Sequence, residues 1–181
     1  MSPSLGRFLA IEQGVVPGLF NFFINGGIAW WLNRELEFMP LWGGTSIIVD
    51  TLATALLLPL LTCLIVTPII ASQMRRGKLA PLPVAMQERA CLPSDSSLKR
   101  GLIAGIIGML GVALPVLVWW SLYGPRTLEL YDFLWFKASF AAILGAGITA
   151  LIAWWALLDA SRRQAVGNDY DNVAELAQRE D

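Results

Sequence analysis

The sequence contains no histidine. That removes the commonest general base and the commonest metal ligand. Cysteine is nearly absent as well: Cys63 lies in an apolar run and Cys91 in a polar loop. They form no Cys-x-x-Cys pair, and a loop facing a reducing compartment keeps its thiols, so neither a disulfide nor a metal site is expected. Charge is scarce too. Only 15% of the 181 residues are Asp, Glu, Lys or Arg, where soluble domains carry about 25%. No stretch alternates apolar and polar residues over about ten positions, which excludes an outer-membrane β-barrel. Clustered nucleophiles and bases, nucleophile elbows and phosphate-binding loops are missing, and the carboxylates Glu35, Glu37, Glu129 and Asp132 are scattered through turns. No catalytic residues and no cofactor are therefore expected.

Apolar residues dominate what is present. The chain is 56% hydrophobic with mean hydropathy +0.59, and its apolar runs approach the twenty residues that a membrane helix needs. Four spans are predicted, at about residues 15–33, 46–72, 98–123 and 131–160. The expected fold class is all-α: an integral membrane four-helix bundle made of two transmembrane hairpins. Residues 1–160 form the single transmembrane domain, and residues 161–181 form a polar, flexible tail. Residues 1–14 read as a helical lead-in. The first run ends in Ala29-Trp30-Trp31-Leu32-Asn33-Arg34, a poor cleavage site, so the segment is expected to be retained.

Residues 73–97, extended to Arg100 at the start of the third span, form the longest polar interval. It holds Arg75, Arg76, Lys78, Arg89, Lys99 and Arg100. With both termini inside, ten of the thirteen cations lie on the cytoplasmic side, and only Arg34, Arg126 and Lys137 lie towards the other. That bias predicts N-in/C-in orientation in a bacterial-type inner (plasma) membrane. Arg75, Arg76, Lys78, Lys99 and Arg100 are candidates for lipid headgroup contact, beside their role in fixing orientation. The loop has no aromatic residues for stacking and shares its side with an acidic tail, so no nucleic acid partner is expected. Within the loop, residues 84–92 read as a short surface helix, and residues 93–97 as a cap for the third span.

The second span carries Pro59 and Pro68. A membrane helix tolerates them as kinks, with Thr51, Thr54, Thr62 and Thr67 available to serve freed carbonyls. The third span carries a GxxxG pattern, Gly101-x-x-x-Gly105, which Gly108 extends. Close helix packing follows, with Ala141, Gly145 and Thr149 of the fourth span as the expected facing surface. Trp30-Trp31 and Trp119-Trp120 each close an outward-going span, with an arginine a few residues on; a generic aromatic belt accounts for this, and a loose parallel repeat of the two hairpins is the alternative.

Four polar residues stand inside apolar spans: Asn21 and Asn25, one helical turn apart, and Asp50 and Lys137, expected at similar depth. A carboxylate at membrane depth is costly and is a functional hypothesis by default. Asp50 and Lys137 are expected to face the interior and pair; packing alone, or snorkelling to headgroups, is the plainer alternative. Two functions fit. One is a non-catalytic accessory subunit that binds lipid, a membrane partner or a second copy. The other is a small oligomeric transporter or channel with Asn21, Asn25, Asp50 and Lys137 lining a polar route. They differ in whether those side chains converge on a cavity.

Overall fold

The computed structural model describes the backbone of residues 8–94 and 96–180 with Gly6, and the side chains of residues 10–94 and 96–166. It is mostly helical. Four helices are long and apolar enough to cross a membrane: Ala10–Asn33, Ile47–Arg75, Ser97–Tyr123 and Leu130–Val166. Each exceeds the roughly twenty residues that about 30 Å of hydrocarbon requires. Large apolar side chains such as Phe23, Leu57, Ile65, Trp119 and Ile143 are exposed around the outside, as a surface solvated by lipid demands. This is a membrane protein.

A π-helical segment Phe8–Val15 leads without a break into α1 (Val16–Asn33). Pro17 sits in the first turn of α1, where its missing N–H costs little. Helix α2 (Ile47–Arg75) starts at Ser46, whose hydroxyl accepts from the Val49 N–H. It remains helical through Pro59 and Pro68. The freed carbonyls are not served as expected: Thr51 Oγ1 donates to the Ile47 carbonyl and Thr54 Oγ1 to that of Asp50. Both oxygens belong to intact helical turns. Pro59 instead frees the carbonyl of Ala55, four residues back, and Gly108 of the third span packs closely against that oxygen.

Gly77, with φ +69°, ends α2, since only glycine takes that conformation without strain. The short helix α3 spans Val84–Arg89, inside the expected 84–92. The third span is α4 (Ser97–Gly108), a π segment Met109–Ala113 and α5 (Leu114–Tyr123). The π segment is explained by Pro115, which offers no N–H to the preceding turn. Helix α6 runs from Leu130 to Glu180. The tail backbone from residue 161 is part of this helix as far as Glu180, and its side chains past Val166 lie outside the described residues.

The two short turns meet. Strand β1 (Phe38–Pro40) pairs antiparallel with β2 (Thr127–Glu129), Met39 opposite Leu128. Beneath this ribbon Ala29, Met39, Leu41, Ile47 and Phe133 form a buried cluster. The basic loop lies against the other end of α6, with Leu82 and Met74 packed on Leu157 and Leu158.

Helix α6 is the axis of the assembly. In its apolar stretch 61% of residues are buried, against 11% for the first span. Helix α1 packs along α6, α4 packs along α2, and α2 packs along α6, while α1 and α2 scarcely touch. Each hairpin's first helix therefore lies on the second helix of the other.

This crossing corrects the expected partner of the glycine face. A Cβ on Gly101 would meet Leu60 and Cys63 at 3.1 Å, and one on Gly105 would meet the Leu56 carbonyl at 2.9 Å, so both glycines face α2. Only Gly108 also reaches α6, at Leu144. Gly145 makes room for Asn21 of α1 rather than for the third span. Replacing Gly105 by Val should cost about 1–3 kcal/mol through overpacking against backbone, read as a lower melting temperature in detergent. Gly111→Ala, where nothing lies within 4 Å of the added carbon, should leave that temperature nearly unchanged.

Candidate functional site

Because α1 leans on α6 and stands off α2, a groove remains between α1 and α2. Its volume is about 560 Å³. Pro17, Phe20 and Ile24 line one wall, Leu57, Leu61 and Ile65 the other, so most of the lining is apolar. Three of the four polar residues singled out in the sequence, Asn21, Asn25 and Asp50, line it together with Thr54, Thr62 and Thr149.

Each amide turns its N–H group onto its own helix. Asn21 Nδ2 donates to the Pro17 carbonyl at 2.9 Å and Asn25 Nδ2 to the Asn21 carbonyl at 3.0 Å. Serving the backbone four residues back is the local solution open to a polar side chain in an apolar helix. Both side chains are half-buried. Asn33, roughly on the same face by spacing, is instead buried and donates to the Ala29 carbonyl. Thr149, at the groove floor, is buried, and its hydroxyl has no partner among the described residues.

Lys137 does not line the groove. It is 6% exposed and reaches from α6 to α2. Its ammonium donates to Asp50 Oδ2 at 2.5 Å and to Thr54 Oγ1. Asp50 and Thr54 are one turn apart, so both project from one face of α2. The pairing expected from depth is present. The partners are unequally placed, with the Lys137 side chain 8% exposed and the Asp50 side chain 30% exposed. The carboxylate is thus the member that faces the groove.

A second buried ion pair escaped the sequence reading. Arg100 Nη2 bonds Asp159 Oδ2 at 3.0 Å, tying α4 to α6, and Arg163 Nε reaches the other carboxylate oxygen at 2.9 Å. Arg100 is only 1% exposed, and its Nε and Nη1 have no partner among the described residues. It is therefore not placed for headgroup contact, because a guanidinium enclosed by helices cannot reach the membrane surface. Arg75, Arg76, Lys78 and Lys99 remain exposed. Asp159 carried a usable signal: it is the one carboxylate between Asp132 and Asp169, and deserved the same suspicion as Asp50.

The loop is clasped beside this pair. Ser161 Oγ accepts from the Leu82 N–H at 2.9 Å, and Arg162 Nη2 donates to the carbonyls of Gln87 and Ala90. A cation expected only to set orientation thus serves backbone carbonyls at the C-terminal end of α3. Of the two free cysteines, Cys91 is exposed and Cys63 buried.

Comparison with family models, with curated proteins and with solved structures finds no match to this chain.

Two measurements check that geometry. Lys137→Met, Asp50→Asn and the double variant should give a coupling of about 1–3 kcal/mol in a mutant cycle on detergent stability. The double variant should be more stable than Lys137→Met alone, since it leaves no unpaired charge. Asp159→Ala, which strands a buried guanidinium, should cost about 3–5 kcal/mol.

Proposed function

We propose that this chain is a non-catalytic, multi-pass accessory protein of a bacterial-type inner (plasma) membrane. It forms a four-helix bundle with both termini and the basic loop in the cytoplasm. The groove between α1 and α2 holds a membrane component, either a lipid or a helix of a partner subunit. The observation that carries this reading is that the polar side chains are individually satisfied: Asn21 and Asn25 each donate to their own helix and Lys137 is buried against Asp50, which leaves a mostly apolar groove. The orientation is supported by the cation bias and by the exposed Arg75, Arg76 and Lys78 beyond the end of α2. Exposed Trp30, Trp31 and Trp119 at the ribbon end suit the opposite interface.

The convergence of Asn21, Asn25 and Asp50 on that groove gives weight to a second reading, a small oligomeric transporter. A second copy would have to close the groove into a hydrated route with Asn21, Asn25 and Asp50 along it. Lys137, screened behind Asp50, would then act by holding the carboxylate rather than by touching the solute.

Orientation is tested on the native thiol. In intact cells a membrane-permeant maleimide should label Cys91, and an impermeant one should not until the membrane is broken. Labelling from outside would invert the topology. The accessory and transport readings separate in proteoliposomes. Wild type, Asp50→Asn and Lys137→Met should be equally impermeable to small ions and solutes, whereas a flux present in wild type and lost in both variants would assign transport.

A further inference from the structure

We infer that the occupant of this groove is a phospholipid with a primary ammonium head. One acyl chain lies between α1 and α2, and the ammonium donates to Asp50. The inference rests on the groove reading above and names its ligand class.

The dimensions choose between a lipid chain and a protein helix. The groove follows α2 from Asp50 to Val66, which is about 24 Å at 1.5 Å per residue. Spread over that length, 560 Å³ gives a section of roughly 20–25 Å². A helix with its side chains is about 10–12 Å across, or roughly 80–110 Å² in section. An alkyl chain, whose carbons pack about 4 Å from their neighbours, needs roughly 15–20 Å². One extended chain fits inside the groove along that length, whereas a helix could only ride on its rim. Its walls of Leu57, Leu61, Ile65, Phe20 and Ile24 suit hydrocarbon.

The polar end chooses the head. Asp50 is the fourth residue of α2, roughly 5–6 Å below the helix start, close to headgroup level. Lys137 occupies Oδ2 from behind; Oδ1 has no hydrogen bond among the described residues, and the Asp50 side chain is the more exposed member of the pair. Asn25 also lines the groove, with its amide donating to the Asn21 carbonyl. The polar end therefore offers the second carboxylate oxygen of Asp50 as an acceptor. A primary ammonium brings N–H donors to it. A trimethylammonium head brings the same charge and no donor, and an anionic head meets the carboxylate first. The class is that of phosphatidylethanolamine.

The test uses the full-length chain in detergent, stripped of lipid. It is offered equal amounts of dioleoyl phosphatidylethanolamine, phosphatidylcholine and phosphatidylglycerol, and retained lipid is read by native mass spectrometry. Phosphatidylethanolamine should be retained at least about fivefold over each of the others. Asp50→Asn/Lys137→Met, which keeps the site neutral and removes the carboxylate, should lose that preference while its melting curve stays cooperative. Equal retention of the ethanolamine and choline lipids, or a preference unchanged in the double variant, overturns the inference. In a second arm, ethanolamine and choline lipids carrying a diazirine on the acyl chain are photolysed. Labels from the ethanolamine lipid at Ile24, Leu57 or Leu61 support the proposal. Equal labelling there by both lipids overturns the head assignment and leaves the groove reading standing. Cross-links between chains at those positions, with no lipid label, overturn the lipid as occupant in favour of a protein partner. Neither lipid labels nor chain cross-links at those positions overturns both.

Discussion

A lysine ammonium left alone in hydrocarbon is among the costliest groups a membrane helix can carry, and Lys137 is nearly fully enclosed. Its two bonds, to Asp50 and to Thr54, therefore do more than join two side chains. They fix which face of α2 turns towards α6 and at what height. The Arg100–Asp159 pair imposes the same condition between α4 and α6 at the opposite end. With the rotation of α2 set at one end and α4 tied at the other, small residues can complete the contact between them. Leu56, Leu60 and Ala55 of α2 meet Gly105, Gly101 and Gly108 at near-contact distance.

The groove follows from the same arrangement. Helix α1 finds its contact surface on α6, where Gly18 lies against Ala142 and Ala146, Gly26 against Ala138, and Asn21 against Gly145. Small residues on both sides draw those helices together. Nothing comparable draws α1 to α2, whose Leu57, Leu61 and Ile65 point outward. The slot is thus a product of where small residues were spent. Asp50 faces it because Lys137 approaches from the other side.

Much of the fold was legible in the sequence because hydrocarbon imposes rules that local composition must obey. The length of each apolar run, the paucity of charge and the clustering of cations in residues 73–100 predict four long helices with one basic loop. Asp50 and Lys137 could be matched because helical rise converts position into depth. Arg100 is the reverse case. It begins a span beside five other cations, and nothing in its neighbours records that Asp159, fifty-nine residues on, would close over it. The two-stranded ribbon was equally hidden, since Phe38–Pro40 and Thr127–Glu129 are too short to carry a pattern of their own.

By itself the sequence determined that the chain belongs in a membrane, how many helices it can send across, and which polar side chains must find partners there. These are one-dimensional quantities, set by runs, spacings and the free energy of moving each residue out of water. Only the tertiary structure decided the partners: α2 rather than α6 for the glycine face, Asn21 rather than the third span for Gly145, Asp159 for Arg100, and an open slot between α1 and α2. Helix rotation and neighbour choice depend on how surfaces interlock across dozens of residues at once, and in lipid no difference in solvent along the chain announces that choice.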